Sequence, residues 1–339
     1  MPGLCPRLRT VNERIRLAHG GGGTLMQQLI AAEFSCLYGE PAPVLHDAAR
    51  LEFAHGSLAF TTDGYVVRPL EFPGGDIGCL AIIGPANDLA MAGARPRHLS
   101  VGLILEEGLE LALLRRVVAS MAAAARACGV AIVTGDTKVV ERGKGDGIFV
   151  HTSGVGLVEA PEPVHPLRIE PGDAVLVSGD LGRHGLAILA ARHGLDLQPS
   201  LESDCAPLWP LVEGLLAAGV RVRCLRDLTR GGLASALHEL AVARGVEFRL
   251  EEEAIPVAPA VATSGALLGL DPLHLANEGR LVAVVAAADR MRAEALLADG
   301  GGAWIGTVHE GGPRVLLRTA FGSERVLVPQ SGELLPRIC

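Results

Sequence analysis

The apolar positions of this chain fall into short runs that end repeatedly on an acidic residue or a glycine. Leu58-Ala59-Phe60-Thr61-Thr62 is interrupted by Asp63-Gly64 and resumed by Tyr65-Val66-Val67, a pattern that predicts strand, turn, strand. A loop is expected over Phe72-Pro73-Gly74-Gly75-Asp76-Ile77-Gly78, then a helix entered at Ala86-Asn87-Asp88-Leu89 and reaching Ala94. Helical spacing continues from about Leu109 to Cys128, and the run from Val130 to Thr134 predicts a strand that delivers Gly135-Asp136-Thr137-Lys138 at its end. Pro161, Pro163 and Pro166 mark a domain boundary. Beyond it, Ala174 to Val177 reads as a buried strand leading to a turn at Gly179, with helices over 185–193, 207–218 and 233–244. Asp227-Leu228-Thr229-Arg230-Gly231-Gly232 stands before the last of these helices, and Ala276-Asn277-Glu278-Gly279 opens an apolar strand from Leu281 to Val285.

Composition narrows what such a chain can do. With 339 residues, 49% of them hydrophobic and 3% aromatic, it is long enough for two domains with aliphatic cores. A formal net charge of −8 supplies no basic field for phosphate backbones, so nucleic acid is not expected as a partner. There is no apolar run of membrane-spanning length and no leader-like start, so no membrane association and a cytoplasmic location are expected. The cysteines at 5, 36, 79, 128, 205, 224 and 339 form no Cys-x-x-Cys pair and read as reduced thiols.

Several residues carry candidate chemistry. His19-Gly20-Gly21-Gly22-Gly23 precedes an amphipathic pattern from Thr24 to Ile30; a glycine run opening a helix lets backbone N–H groups close on an anion, although a flexible linker has the same composition. It lacks the ending of a P-loop and the preceding strand of a Rossmann unit. Asp47, Asp63, Asp88 and Asp136 sit at predicted strand ends or glycine turns, a plausible pocket for Mg²⁺ and polyphosphate, since magnesium takes a few carboxylates together with ligand phosphates. The 30 basic residues are 28 arginines and only two lysines, Lys138 and Lys144, which singles out Lys138 as a position needing a compact ammonium or one able to lose its proton, with Lys144 read as a chance survivor at a solvated turn. Glu278 reads either as a buried general base or as a polar strand entrance. Cys339, last in the sequence after Pro336-Arg337-Ile338, is either an unremarkable thiol on a fraying end or a covalent substrate that swings into a distant pocket.

Taken together, Thr62-Asp63-Gly64-Tyr65-Val66-Val67, Asn87-Asp88-Leu89-Ala90, Thr134-Gly135-Asp136-Thr137-Lys138, Asp227-Leu228-Thr229-Arg230-Gly231-Gly232, Ala276-Asn277-Glu278-Gly279 and Pro336-Arg337-Ile338-Cys339 resemble the HypE family of hydrogenase maturation proteins, from about His19 to Cys339. The aspartate and glycine motifs are shared with aminoimidazole ribonucleotide synthetase, selenophosphate synthetase and thiamine-phosphate kinase, whereas the final tetrapeptide is particular to HypE.

The resemblance implies an α/β (α+β) protein of the aminoimidazole ribonucleotide synthetase type. It would have a glycine-rich segment over 1–45, an ATP-binding, dimer-forming domain over 46–160, an α/β domain over 168–320 and a flexible tail over 321–339. It implies an enzyme that receives a carbamoyl group on Cys339 from a HypF-like carbamoyltransferase, dehydrates it with ATP to an S-cyano group, and passes cyanide to iron on a HypC–HypD complex in [NiFe]-hydrogenase assembly. By the same resemblance His19, Gly20, Gly21, Gly22 and Gly23 with Asp63, Asn87, Asp88, Asp136, Thr137, Lys138 and Asp227 would hold ATP. Asp47, Asp63, Asp88, Asp136 and Asp227 would hold Mg²⁺. Lys138 would steady the transferring phosphate and Glu278 would take the proton. Pro85-Ala86, Cys79 and Arg183 depart from the pattern, the last within a 179–185 loop whose contacts are thereby open. Two other readings share the sequence: a small-molecule phosphotransferase of the same superfamily, and a maturation scaffold without catalysis.

Overall fold

Two sheets, each laid against helices, organise the chain. The computed structural model describes residues 14–15, 29–34, 57–197, 199–328 and 337–338; His19 to Gly23, Asp47 and Cys339 lie outside the described residues.

The first unit contains β1 (Leu58–Tyr65), a small hairpin of β2 (Glu71–Phe72) and β3 (Gly75–Asp76), α1 (Ile77–Met91), β4 (Ala94–Glu106), α2 (Leu111–Cys128), β5 (Ala131–Val140) and β6 (Ile148–Val158). Its sheet has the order β1-β6-β4-β5, antiparallel except for the β4–β5 pair. The expected turn at Asp63-Gly64 is absent. β1 runs straight through these residues because each pairs with β6, Asp63 with Thr152 and Gly64 with His151. The strand expected to stop at Thr134 likewise continues to Val140, pairing Asp136 with Gly102 and Lys138 with Ile104. Glycine next to aspartate is a turn signal only where no neighbouring strand offers a ladder.

α1 starts nine residues before the expected entry at Ala86. Asp76 caps it, its side chain accepting from the Cys79 N–H at 2.8 Å while the Cys79 sulfur faces the Asp76 N–H at 3.2 Å. This capping box gives Cys79 a local role. The helix contains Pro85 yet continues to Met91, since nearly all of its residues are buried between the first sheet and the second unit and packing outweighs the lost N–H bond. α2 follows its predicted span closely and packs on α1.

The second unit contains β7 (Ala174–Val177), α3 (Arg183–His193), α4 (Trp209–Ala217), β8 (Val222–Asp227), α5 (Gly232–Arg244), β9 (Glu247–Glu251), α6 (Pro259–Leu268), β10 (Leu281–Val285), α7 (Arg290–Leu297), β11 (Ala303–His309), β12 (Arg314–Arg318) and β13 (Glu324–Val326). Its sheet order is β13-β12-β9-β11-β7-β10-β8. The central strands β7 and β10 are buried throughout, as their unbroken apolar runs require, with one apolar cluster on each face of the sheet. β13 lies within the stretch expected to be tail. No described helix is long and apolar enough to cross a membrane.

Candidate active site

A cavity of about 420 Å³ opens between β1, α1 and the β8–α5 junction, and it collects carboxylates from all three. Period-two alternation turns Asp63 and Tyr65 to the side of the first sheet that faces α1. Asp88 comes from the last turns of α1, held by the Thr61 hydroxyl at 2.8 Å. Asp227 is the last residue of β8. Glu278 joins from the loop before β10, its N–H donating to Asp204 Oδ1 at 3.1 Å. Thr229 and Arg230 complete that side, where Gly231 and Gly232 both adopt positive φ (76° and 58°) to open α5. A side chain at Gly232 would strike the Leu275 carbonyl, so the tight approach of α5 to the 273–275 segment requires glycine.

The electrostatics of this cavity are one-sided. Burial, then the charge of Asp88, pushes Asp227 up to about 7. Burial raises Asp88 too, with Asp63 adding to the shift and the Thr61 hydrogen bond opposing it. Glu278 is raised well above the ordinary carboxylate range, first by burial and then by Asp227, Asp204, Asp63 and Asp88. Tyr65 is raised by burial and by the charges of Asp63, Glu278 and Asp88. Its hydroxyl lies against Gly84, where any side chain would collide with it. Arg226 and Arg230 moderate the charge without removing it. Glu278 Oε1 is buried and has no hydrogen-bond partner among the described residues. Such an arrangement lacks positive charge.

Not every candidate joins the cavity. Asp136 and Lys138 lie on the opposite, outward side of the first sheet, paired with each other at 2.6 Å, their side chains 57% and 61% exposed. The lysine lowers the Asp136 pKa through that hydrogen bond. The single pocket expected to hold Asp63, Asp88 and Asp136 together is thus divided by the sheet, because residues 63 and 136 occupy opposite phases of the pleat. Thr137, between Asp136 and Lys138, points inward and is buried. Asn87 does not line the cavity. Its Nδ2 donates to the Ala206 and Glu278 carbonyls at 3.1 and 3.2 Å and its Oδ1 accepts from Leu208 N–H at 2.8 Å, so it ties α1 to the second unit and fixes the Glu278 backbone. Asn277 ties Gly182 to Leu228 and Leu275 in the same way.

The tail returns to this region. Ile338 is buried in the apolar cluster that includes Phe72, Ile188 and Ala276, and its carbonyl accepts from His184 Nε2 at 3.0 Å. The same nitrogen lies 4.0 Å from Glu278 Oε1. Arg337 bonds the Val66 carbonyl at 2.9 Å and pairs with Asp146; its own carbonyl accepts from Arg192 at 2.7 Å and from the Arg68 N–H at 3.3 Å. Its φ of 56°, unfavourable for a residue with a side chain, is held by these contacts. Arg183 pairs with Asp180 at 2.5 Å, and Arg280 with the other Asp180 oxygen at 2.7 Å, which anchors the 179–185 loop. Sequence reasoning missed His184, Tyr65, Asp204 and Gly84. No spacing along the sequence tied these residues to the site.

Comparison with known proteins now places the chain. The N-terminal domain of AIR synthase related proteins matches residues 45–158 and their C-terminal domain matches residues 170–317. A carbamoyl dehydratase HypE of Rhodobacter capsulatus is 51% identical over 97% of this chain and 99% of its own length. The chain belongs to the HypE family of carbamoyl dehydratases. A crystal structure of the hydrogenase maturation protein HypE in complex with ATP is similar over 96% of this chain and 99% of that one, with a TM-score of 0.92 and 45% identity. A HypE–HypF complex is similar over 91% of this chain and 100% of that one, with a TM-score of 0.79 and 40% identity. Membership in the HypE family makes this chain an enzyme.

Proposed function

We propose that this chain uses ATP to dehydrate an S-carbamoyl group on Cys339 to an S-cyano group, the precursor of a cyanide ligand of iron in [NiFe]-hydrogenase maturation. The observation that carries this reading is the seat of Ile338: the residue before Cys339 is held in a buried chamber that also contains Glu278, and Glu278 lines the acidic cavity. The tail and the cavity therefore meet at one carboxyl group. The likeness to a HypE–ATP complex supports a bound nucleotide, for which the acidic cavity is the proposed place.

The reaction balances as S-carbamoyl plus ATP giving S-cyano, ADP and phosphate. An amide oxygen leaves poorly, so it is first phosphorylated; phosphate then departs as two N–H protons are lost and the C≡N bond forms. Glu278 is the base in this reading, since burial among other carboxylates makes its ionised form a stronger proton acceptor than an exposed glutamate. Asn87 holds the Glu278 carbonyl and keeps that base in register. Asp63, Asp88 and Asp227 would hold Mg²⁺, and Asp47 would add to them. The raised pKa values of Asp88 and Asp227 favour a cation beside them, and since no three acidic, histidine or cysteine side chains among the described residues are grouped to hold a metal ion by themselves, phosphate oxygens would have to complete its coordination. Bound Mg²⁺ supplies charge neutralisation on the transferring phosphoryl group. His19 and Gly20 to Gly23 would close over the phosphates.

Leu58, Phe60 and Ile104 are exposed on the outward side of the first sheet, the same side as Asp136 and Lys138. A homodimer formed through that surface would cover the apolar residues, and Lys138 would act on phosphate from the pairing face. A HypF-like carbamoyltransferase, by the likeness to the HypE–HypF complex, would load the tail, and a HypC–HypD complex would receive the cyanide.

The test follows the tail. Carbamoylated protein incubated with ATP and Mg²⁺ should yield a Leu334–Cys339 peptide lighter by one water, and Cys339→Ala should bind nucleotide but yield no cyano product. An unchanged peptide mass defeats the proposal. Full turnover on a small acceptor by a chain lacking Cys339 would instead make it a phosphotransferase, and absence of any ATP consumption would make it a scaffold.

A further inference from the structure

His184 is fully buried, the second residue of α3, and no step above uses it. Both ring nitrogens are engaged, Nδ1 with Ser203 Oγ at 2.8 Å and Nε2 with the Ile338 carbonyl at 3.0 Å. A carbonyl only accepts, so Nε2 carries the hydrogen. Burial keeps the ring neutral by lowering its pKa, so Nδ1 is the acceptor and the Ser203 hydroxyl donates to it. Ser203 Oγ in turn accepts from the Cys205 N–H at 3.2 Å. Polarity therefore runs in one direction, from the 203–205 loop through the imidazole to the tail. Phe72 packs edge-on to the ring, centroids 5.5 Å apart at 86°, which fixes its plane. Eight residues further along α3, Arg192 donates to the Arg337 carbonyl. One helix thus holds two consecutive carbonyls of the tail, through contacts to main chain rather than to side chains.

We propose that His184 is a positioning residue: its Nε2–H, aimed by Ser203 and Phe72, fixes the Ile338 carbonyl and so sets the register in which the tail presents Cys339 to Glu278. The proposal rests on the dehydratase reading for its purpose, but its geometry is tested without that chemistry. Glu278 Oε1 is 4.0 Å from the same Nε2, so the group that seats the tail also borders the proposed base, and a tail shifted by one residue would lose both relations.

The experiment measures Cys339 alkylation in the full chain by mass spectrometry of the Leu334–Cys339 peptide, with no nucleotide or carbamoyl group present. His184→Phe fills the space and removes the donor; His184→Gln returns a donor near the Nε2 position. Alkylation should be at least about tenfold faster in His184→Phe than in the native chain, as loss of one buried hydrogen bond implies, and largely restored to the native rate in His184→Gln. Nucleotide affinity should stay within about twofold in both. In the native chain, ¹⁵N spectra should show the Nε2–H tautomer, and deletion of Ile338 and Cys339 should shift that resonance. Equal alkylation in all three chains, or an Nδ1–H tautomer, overturns the proposal. If His184→Phe fails to fold, the tautomer and its response to the deletion decide the question on the unsubstituted ring. Slow alkylation and an Nε2–H signal in a protein that makes no cyano group would overturn the dehydratase reading while upholding the tail seat.

Discussion

Asp227 and Asp136 occupy regions of opposite character. The first ends β8 in the acidic cavity, where burial and Asp88 push it up to about 7. The second stands on the outward side of the first sheet, where Lys138 holds it below the ordinary carboxylate range. The difference lies in what surrounds each aspartate: one is buried beside other carboxylates, and the other is exposed beside an ammonium. An acidic residue near a glycine therefore says little about metal binding until its face of the sheet is known.

The largest effect separating the two regions is expected at Glu278, where the cavity meets the tail seat. Glu278→Gln keeps the shape and the Asn87 bond to its carbonyl but cannot take a proton. Cyano formation should fall by roughly 10²- to 10⁴-fold, with nucleotide binding retained because a negative charge has been removed. In the native protein, single-turnover rates should rise with pH along a limb lying above the usual glutamate range, since the Glu278 pKa is raised and only its ionised form accepts a proton. A rate flat in pH, or a fully active Glu278→Gln chain, would take the base out of the cavity.

Much of the fold was legible in sequence. α2, β7, α5 and β10 lie within a residue or two of their predicted spans, because their apolar patterns are long or unbroken. The errors cluster where local chemistry and tertiary context disagree: the Asp63-Gly64 turn that is strand, the Asp136 to Lys138 strand end that is mid-strand, and the start of α1 hidden by Gly78, Gly84 and Pro85. In the candidate site, Asp63, Asp88, Asp227 and Glu278 converge, whereas Asn87 ties backbone segments together and Asp136 faces away. These last two outcomes depend on pleat phase and on contacts across more than a hundred residues, which no local spacing encodes. His184 was illegible for the same reason, being separated by 154 positions from the carbonyl it holds.

A smaller effect concerns stability. The Asp227 folded-state pKa is about 7, above the value near 4 of an unfolded aspartate. The folded chain therefore holds a proton that the unfolded chain has lost, so this contribution is full below about pH 4 and falls away as pH rises towards 7. It amounts to roughly 2–4 kcal/mol over that window. Asp227→Asn should flatten the decline in unfolding free energy, measured by urea titration at several pH values without ligand, and it should be more stable than the native chain at pH 8. Mg²⁺ with nucleotide should stabilise the native chain more than the variant. A native profile without decline between pH 4 and 7 would mean that the cavity is not short of positive charge.

The smallest effect is expected at Asp136. Its pair with Lys138 is more than half exposed, so screening by water and salt leaves it worth under about 1 kcal/mol. The sign is opposite to that of Asp227: a lowered pKa gives stability that is present above the unfolded aspartate value and lost as pH falls through the folded one. Asp136→Asn should therefore move the urea midpoint slightly at pH 7, and less in high salt. Nucleotide affinity under the same conditions separates two explanations of this weak pair. A structural pair loses little of either quantity. A pair kept for phosphate across the proposed homodimer would leave stability nearly unchanged while nucleotide affinity drops, and that drop should vanish under dilution that separates such copies, because the outward side of the sheet faces away from the cavity of its own chain.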